Sequence, residues 1–266
     1  KILLLCRQTL VHLTGASLLT AELHTNMLHD HRPFLAKKAY HRIEHWYSRH
    51  FIEPQLASLG QGFHMMKPWN IDVHGGEIHI GKHIHIVTAK DRRVSLSTWQ
   101  FEDQQGHIKI GDHVLLCPGV RLDSASEISI GNNCMLAAGC YVTDADWHDI
   151  YDRTRIIGTT RPVILGDNVW IGDGSIICKG IKIGANSVIG AGSVVAGDIP
   201  ENVIAAGNPA KVLRPLDPKI ELITRQSIFR DPEELRDRND KIDRYALNSN
   251  TLAGWFRSTF FPKRGD

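Results

Sequence analysis

The stretch LGDNVWIGDGSIICKGIKIGANSVIGAGSVVAGDI, residues 165–199, decides the fold. An aliphatic residue stands at every sixth position: Leu165, Ile171, Ile177, Ile183, Ile189 and Val195. A small residue follows each of them: Gly166, Gly172, Cys178, Gly184, Gly190 and Ala196. Four positions after each aliphatic come Val169, Ser175, Ile181, Ser187, Ser193 and Ile199, again small or aliphatic. Apolar residues recur every three to four positions in a helix and every two in a strand, and neither rhythm places glycine behind a six-residue aliphatic. Hexads of this kind predict short strands, three to a triangular coil. Each strand turns its aliphatic side chain inward and ends at a corner where a large Cβ substituent would clash.

Outward from this block the pattern continues upstream at Ile110, Leu116 and Leu122, slips by two residues, and resumes at Ile130, Leu136 and Val142. A weaker trace survives at Ile80, Gly81 and Ile86. One coil cannot bury its apolar residues alone, so the hexads have to stack into a continuous core. The expected fold is an all-β solenoid, a parallel β-helix over residues 70–216, with helical extensions at 1–69 and 217–266. Two segments lack the hexad pattern, 85–107 and the polar stretch 144–162. Loops thrust from a regular solenoid are where function concentrates.

The N-terminal extension reads as helix most clearly after Pro33, where Leu35, Ala39, Ile43, Trp46 and His50 keep helical spacing until Pro54. In the C-terminal extension Asp231, Pro232, Glu233 and Glu234 make a helix start, with a capping acid, proline at the first helical position and acids in the first turn. Leu235, Ile242 and Tyr245 carry that helix onward. The tail Trp255, Phe256, Phe260, Phe261, Lys263 and Arg264 mixes aromatic and basic residues, a composition that suits packing on a partner subunit or, less readily, contact with a membrane surface.

Of the 266 residues, 42% are hydrophobic and 23% charged, as in an ordinary globular protein. The net charge of +2 lacks the concentrated basic face that tracking nucleic-acid phosphates requires. The apolar stretch Ile2–Leu23 is broken by Arg7, Gln8, His12 and Glu22, too often for a bilayer span, and it lacks the compact core of a cleavable signal. Cys6, Cys117, Cys134, Cys140 and Cys178 form no CxxC pair, and four fall at hexad positions that want a small apolar side chain. Buried reduced thiols and a cytoplasmic location are expected.

The segment 143–216 carries the most specific motifs: ThrAspAlaAspTrpHis (143–148), GlyAspAsnValTrpIleGly (166–172), IleGlyAlaGlySerValVal (189–195) and AlaGlyAsnProAlaLysVal (206–212). With these it resembles the hexapeptide-repeat sugar O-acetyltransferases, the maltose, galactoside and polysaccharide-modifying enzymes. The resemblance implies a left-handed helix, a homotrimer with clefts between subunits, acetyl-CoA as acyl donor, a carbohydrate hydroxyl as acceptor, and no metal. It also implies that His148, on the protruding loop, is the general base. A hydroxyl is a weak nucleophile at neutral pH, and a nearby imidazole can take its proton as the C–O bond forms.

By the same resemblance Asp144, Asp146 and Trp147 hold the loop, contact the acceptor or orient the imidazole. Trp170 borders the thioester arm, Gly172 and Asp173 lie near the thiol, and Gly190, Ala191 and Gly192 let the arm approach the backbone. Lys211 and Arg214 meet the coenzyme's phosphates. Ala196 and Gly197 stand where the family carries ThrLys, and 85–90, HisIleValThrAlaLys, lacks the family's acceptor-binding asparagine. His79, His83, His85, His107 and His113 read as coil-surface residues. Two other functions share the solenoid. A carbonic-anhydrase-like hydratase needs three converging histidines, and 165–212 has none. A non-catalytic scaffold would have no use for His148 or the coenzyme-side residues.

Overall fold

The computed structural model describes residues 30–101 and 103–263; the Ile2–Leu23 stretch, Cys6 and Arg264 lie outside them. The described chain divides into two compact units, residues 39–237 and residues 30–38 joined with 238–263.

The larger unit is the left-handed parallel β-helix, with three sheets as its faces. Face A stacks Ser58–Leu59, Ile78–Ile80, His107–Ile110, Glu127–Ile130, Val163–Leu165 and Lys182–Ile183. Face B stacks His64–Met66, His85–Val87, Leu115–Leu116, Met135–Leu136, Trp170–Ile171, Val188–Ile189 and Val203–Gly207. Face C stacks Ile71–His74, Val94–Thr98, Arg121–Ser124, Tyr141–Thr143, Ile176–Ile177 and Val194–Val195. The hexad aliphatics register directly above one another, as in Ile86, Leu116, Leu136, Ile171 and Ile189 on face B. No hexad aliphatic from Ile80 to Val195 is more than 4% exposed. Strand pairing begins at Ser58, upstream of residue 70, because a coil with sparse glycines still pairs through Met65 and Ile86.

The corners explain the small residues. A Cβ added to Gly131 would lie 2.6 Å from the carbonyl carbon of Gly166, too close for any side chain. Two positions after the corner residue the backbone is left-handed, with His83, His113, Asn133, Asn168, Asn186 and Asn202 in one column at φ 54 to 62°. Asparagine tolerates this region best among residues with a Cβ. Its amides also bond up the column, Asn168 to Asn186 at 3.0 Å and Asn186 to Asn202 at 2.8 Å.

The two-residue slip between Leu122 and Ile130 falls at the C–A corner, where Ser124, Ala125 and Ser126 make a wider turn. The last coil is closed by an antiparallel strand, Ala210–Pro215, laid along Val203–Gly207. Beyond it Arg225 Nε–H donates to the His113 carbonyl at 2.8 Å, the Gln226 N–H donates to Asn133 Oδ1 at 2.8 Å, and the Phe229 ring stacks on His83 at 4.8 Å. The start of the expected C-terminal extension is therefore fastened to the coils.

Three α-helices are described: α1 (Phe34–Tyr47), α2 (Pro232–Ala246) and α3 (Leu252–Phe260). Asp231 caps α2 as expected, its Oδ1 accepting the N–H groups of Glu233 at 3.0 Å and Glu234 at 2.8 Å. In the smaller unit Lys37 and Lys38 pair with Asp243 and Asp240. Phe256, Phe260 and Phe261 are exposed. Among the described residues no helix is long and apolar enough to cross a membrane.

Candidate functional site

Residues 144–160 leave the solenoid at the C–A corner and return as a pinned hairpin, bridged antiparallel between Ala145 and Thr160. Asp144 is fully buried and anchors it. Its carboxylate accepts the N–H of Ala125 at 2.8 Å, the N–H of Ser126 at 2.9 Å and the hydroxyl of Ser124 at 2.6 Å. The apparent break in the repeat at Ser124–Ser126 is thus the cradle for this side chain. Burial raises the Asp144 carboxyl above its ordinary range against the downward pull of these donors.

Asp146 holds the other side of the hairpin, accepting from Thr159 Oγ1 at 2.9 Å and pairing with Lys179 from the next coil. Partial burial pushes this carboxyl upward, but the Lys179 ammonium and the Thr159 hydroxyl outweigh it and hold the group below the usual carboxylate range. Trp147 Nε1–H donates to Tyr141 Oη at 3.0 Å and Thr143 Oγ1 at 3.1 Å. With Phe101 it packs on the small cluster Ala125, Ala145 and Ile157. All three of these residues hold the loop, and neither carboxylate bonds the imidazole. His148 follows as an exposed side chain on a fixed backbone.

The expected donor-side residues gather elsewhere, up face B and around the B–C corner. Trp170 projects outward between Met135 and Val188, 47% exposed. Gly172 tolerates no side chain, since a Cβ there would sit 2.5 Å from the Ala191 amide nitrogen. The Gly192 N–H donates to the Asp173 carbonyl at 2.7 Å, so 190–192 lies directly over 172–174. A Cβ built on Gly174 or Gly192 meets nothing within 4 Å, so the outer side of this corner is bare. Both glycines have φ near +65°, and the turn is selected for conformation as well as for space. Lys211 and Arg214 pair with Ala206 and Ile204 at the end of the face, both exposed. An exposed indole, a bare glycine corner and two terminal cations fit an extended thioester arm ending in phosphates.

In one chain, then, His148 issues from the C–A corner and the donor strip runs beside the B–C corner, with face C between them. Sequence reasoning missed Lys179, Thr159 and the Ser124–Ser126 cradle, whose roles depend on contacts between coils. Lys179 is only 15% exposed, and Lys179→Met is expected to cost roughly tenfold in turnover by loosening the loop, with Lys179→Arg restoring most of it. Steady-state kinetics on purified variants checks this.

The histidines divide. His83 and His113 belong to the left-handed column and stack at 5.2 Å. His85 departs from the coil-surface reading: its Nε2 is enclosed without a hydrogen-bond partner, and its ring sits 4.9 Å from His64. Burial, with the nearby charges of His64 and Arg225, pushes it down to about 3. Among the described residues no group of three or more His, Cys, Asp or Glu is placed to hold a metal ion.

The bacterial transferase hexapeptide (six repeats) model matches residues 162–197, and the hexapeptide repeat of succinyl-transferase matches 127–144. The chain is 44% identical over 119 residues to a Saccharomyces cerevisiae protein named as a candidate acetyltransferase, covering 44% of this chain and 60% of that one. It is 31% identical over 168 residues to the Escherichia coli galactoside O-acetyltransferase, covering 62% of this chain and 67% of the relative. A crystal structure of a maltose O-acetyltransferase from Clostridium difficile superposes with a TM-score of 0.41 at 29% identity, over 68% of this chain and 84% of that one. The chain belongs to the hexapeptide-repeat O-acetyltransferase family.

Proposed function

We propose that this protein transfers an acetyl group from acetyl-CoA to a hydroxyl of a carbohydrate, with His148 as general base in a cleft completed by a second subunit. The observation that carries the reading is the pinned hairpin, which presents one exposed imidazole on a backbone fixed by Asp144 and Asp146. The acceptor hydroxyl gives its proton to His148 as its oxygen bonds the thioester carbonyl carbon. The C–S bond then breaks, and the proton passes to the departing thiol. A backbone N–H at the Gly172–Asp173 turn is suited to the developing oxyanion. Lys211 and Arg214 hold the donor's phosphates, and Trp170 borders its arm. The relatives' names favour sugars or polysaccharide precursors as acceptors, and the thiols of Cys134, Cys140 and Cys178, set into the coils, suit a reducing cytoplasm.

Because His148 and the donor strip leave different corners of one chain, a closed trimer that sets one subunit's hairpin against another's strip supplies three equal clefts. Light scattering should find a trimer; a stable, active monomer contradicts it. Lys211→Ala with Arg214→Ala should raise the KM for acetyl-CoA several-fold at nearly constant kcat, since contacts far from the reacting carbonyl bind ground and transition states alike. The difference should shrink as salt screens the exposed charges. Calorimetric titration of acetyl-CoA decides the point, and equal affinities at low salt remove both residues from the site. Assay of acetyl transfer to methyl β-D-galactopyranoside and maltose tests the activity itself.

A further inference from the structure

The hairpin that carries His148 is not the only insertion at its corner. Residues 99–106 leave the same C–A corner two coils earlier and fold as a short antiparallel pair, Gln100–Phe101 with Gln104–Gln105. The two insertions are tied together: Thr160 Oγ1–H donates to Gln104 Oε1 at 3.2 Å, and Phe101 joins the apolar cluster under Trp147. At the root of the earlier insertion stands Trp99. Its backbone is fixed by a bond to the Ser124 carbonyl at 2.8 Å, and its ring is wedged between His74, centroids 4.6 Å apart, and Trp147, 5.9 Å away edge-on. Even so it is 43% exposed. An indole locked by rings on two sides yet open to solvent gains nothing for the core from that open surface, and its edge neighbour precedes the proposed base by one residue.

We infer that Trp99 is the platform on which the acceptor's sugar ring stacks, so that the acceptor is a pyranoside with one face of C–H groups. The inference rests on the proposed role of His148 and extends it to the substrate. A sugar ring laid on an indole takes its apolar C–H face and the indole face out of water while its hydroxyls stay solvated, one of them turned toward the hairpin. Arg121 lies farther along the same face, opposite Ser95. Its guanidinium lies 4.3 Å over the Tyr141 ring, and Tyr141 Oη also accepts from the Trp147 indole N–H, so aromatic and polar groups form one connected wall on face C. A phosphate-bearing acceptor would call for several unpaired cations here, and Arg121 is already paired with Asp123.

Saturation-transfer NMR with methyl β-D-galactopyranoside and with maltose tests the platform independently of catalysis. Saturation should concentrate on the C–H protons of one ring face in the wild type, disappear in Trp99→Ala and partly return in Trp99→Phe, with circular dichroism unchanged in all three. Under turnover, Trp99→Ala should raise the acceptor KM at least tenfold while the acetyl-CoA KM stays within twofold. Binding without acetyl transfer by the wild type overturns the proposed activity and leaves the platform standing. Equal saturation in wild type and Trp99→Ala, or no binding of either sugar by the wild type, overturns the platform.

Discussion

His148→Ala should fold normally and lose two to four orders of magnitude in acetyl transfer, the range spanned by removal of a general base. The loop's stability does not depend on the imidazole, because its fixed points are the Asp144 cradle, the Asp146–Lys179 pair and the Trp147 indole bonds. The loss should therefore appear in kcat and in kcat/KM together, with the KM for acetyl-CoA little changed, as for a group that acts only in the transition state. Near wild-type turnover by the variant would sink the assignment of the base.

The second large effect is on stability. Native His85 takes a proton only at about pH 3, whereas in the unfolded chain it does so at 6.5. A native pKa below the unfolded one means that the unfolded state binds more protons between those values. The stabilising contribution is complete above pH 6.5 and drains away as pH falls toward 3. At pH 5 the deficit from His85 alone is about 2 kcal/mol. His64 and His113, both also lowered chiefly by burial, add to it in the same direction. Urea melts at pH 7.5 and pH 5 should show this loss, and His85→Leu should flatten the slope. An unchanged slope in that variant would show that His85 takes up its proton without unfolding the coil.

The solenoid was legible in the sequence because its rule is local: every coil repeats an inward aliphatic and a corner residue, and Leu165 to Val195 obeys it without exception. The loop was legible as an absence of that rule, and matched motifs singled out His148 as the proposed base and 170–173, 190–192, Lys211 and Arg214 as the proposed donor side. What stayed hidden depends on stacking. Lys179 sits in an ordinary hexad and meets Asp146 only because the coils place their corners in line. The slip at Ser124–Ser126 read as a fault in the pattern, yet it opens the turn that receives Asp144. His85 occupies an outward position on face B and reads as surface until the chain near Arg225 is folded back on the coils. The start of the coils at Ser58 was missed because His64–Met66 and Ser58–Leu59 pair through their backbones with few hexad residues to announce it.

A β-helix whose coils are all parallel ends in a row of unpaired backbone groups, and such a row is a template for joining end to end with another molecule. Here the strand Ala210–Pro215 reverses direction and occupies that row on face B, with Pro209 and Pro215 at its ends and Lys211 and Arg214 along it. Proline offers no donor to a newcomer, and like charges on two approaching ends repel. The strand that carries the proposed phosphate contacts thereby also limits assembly, and shortening the chain after Gly207 should turn discrete particles into fibres that bind thioflavin T.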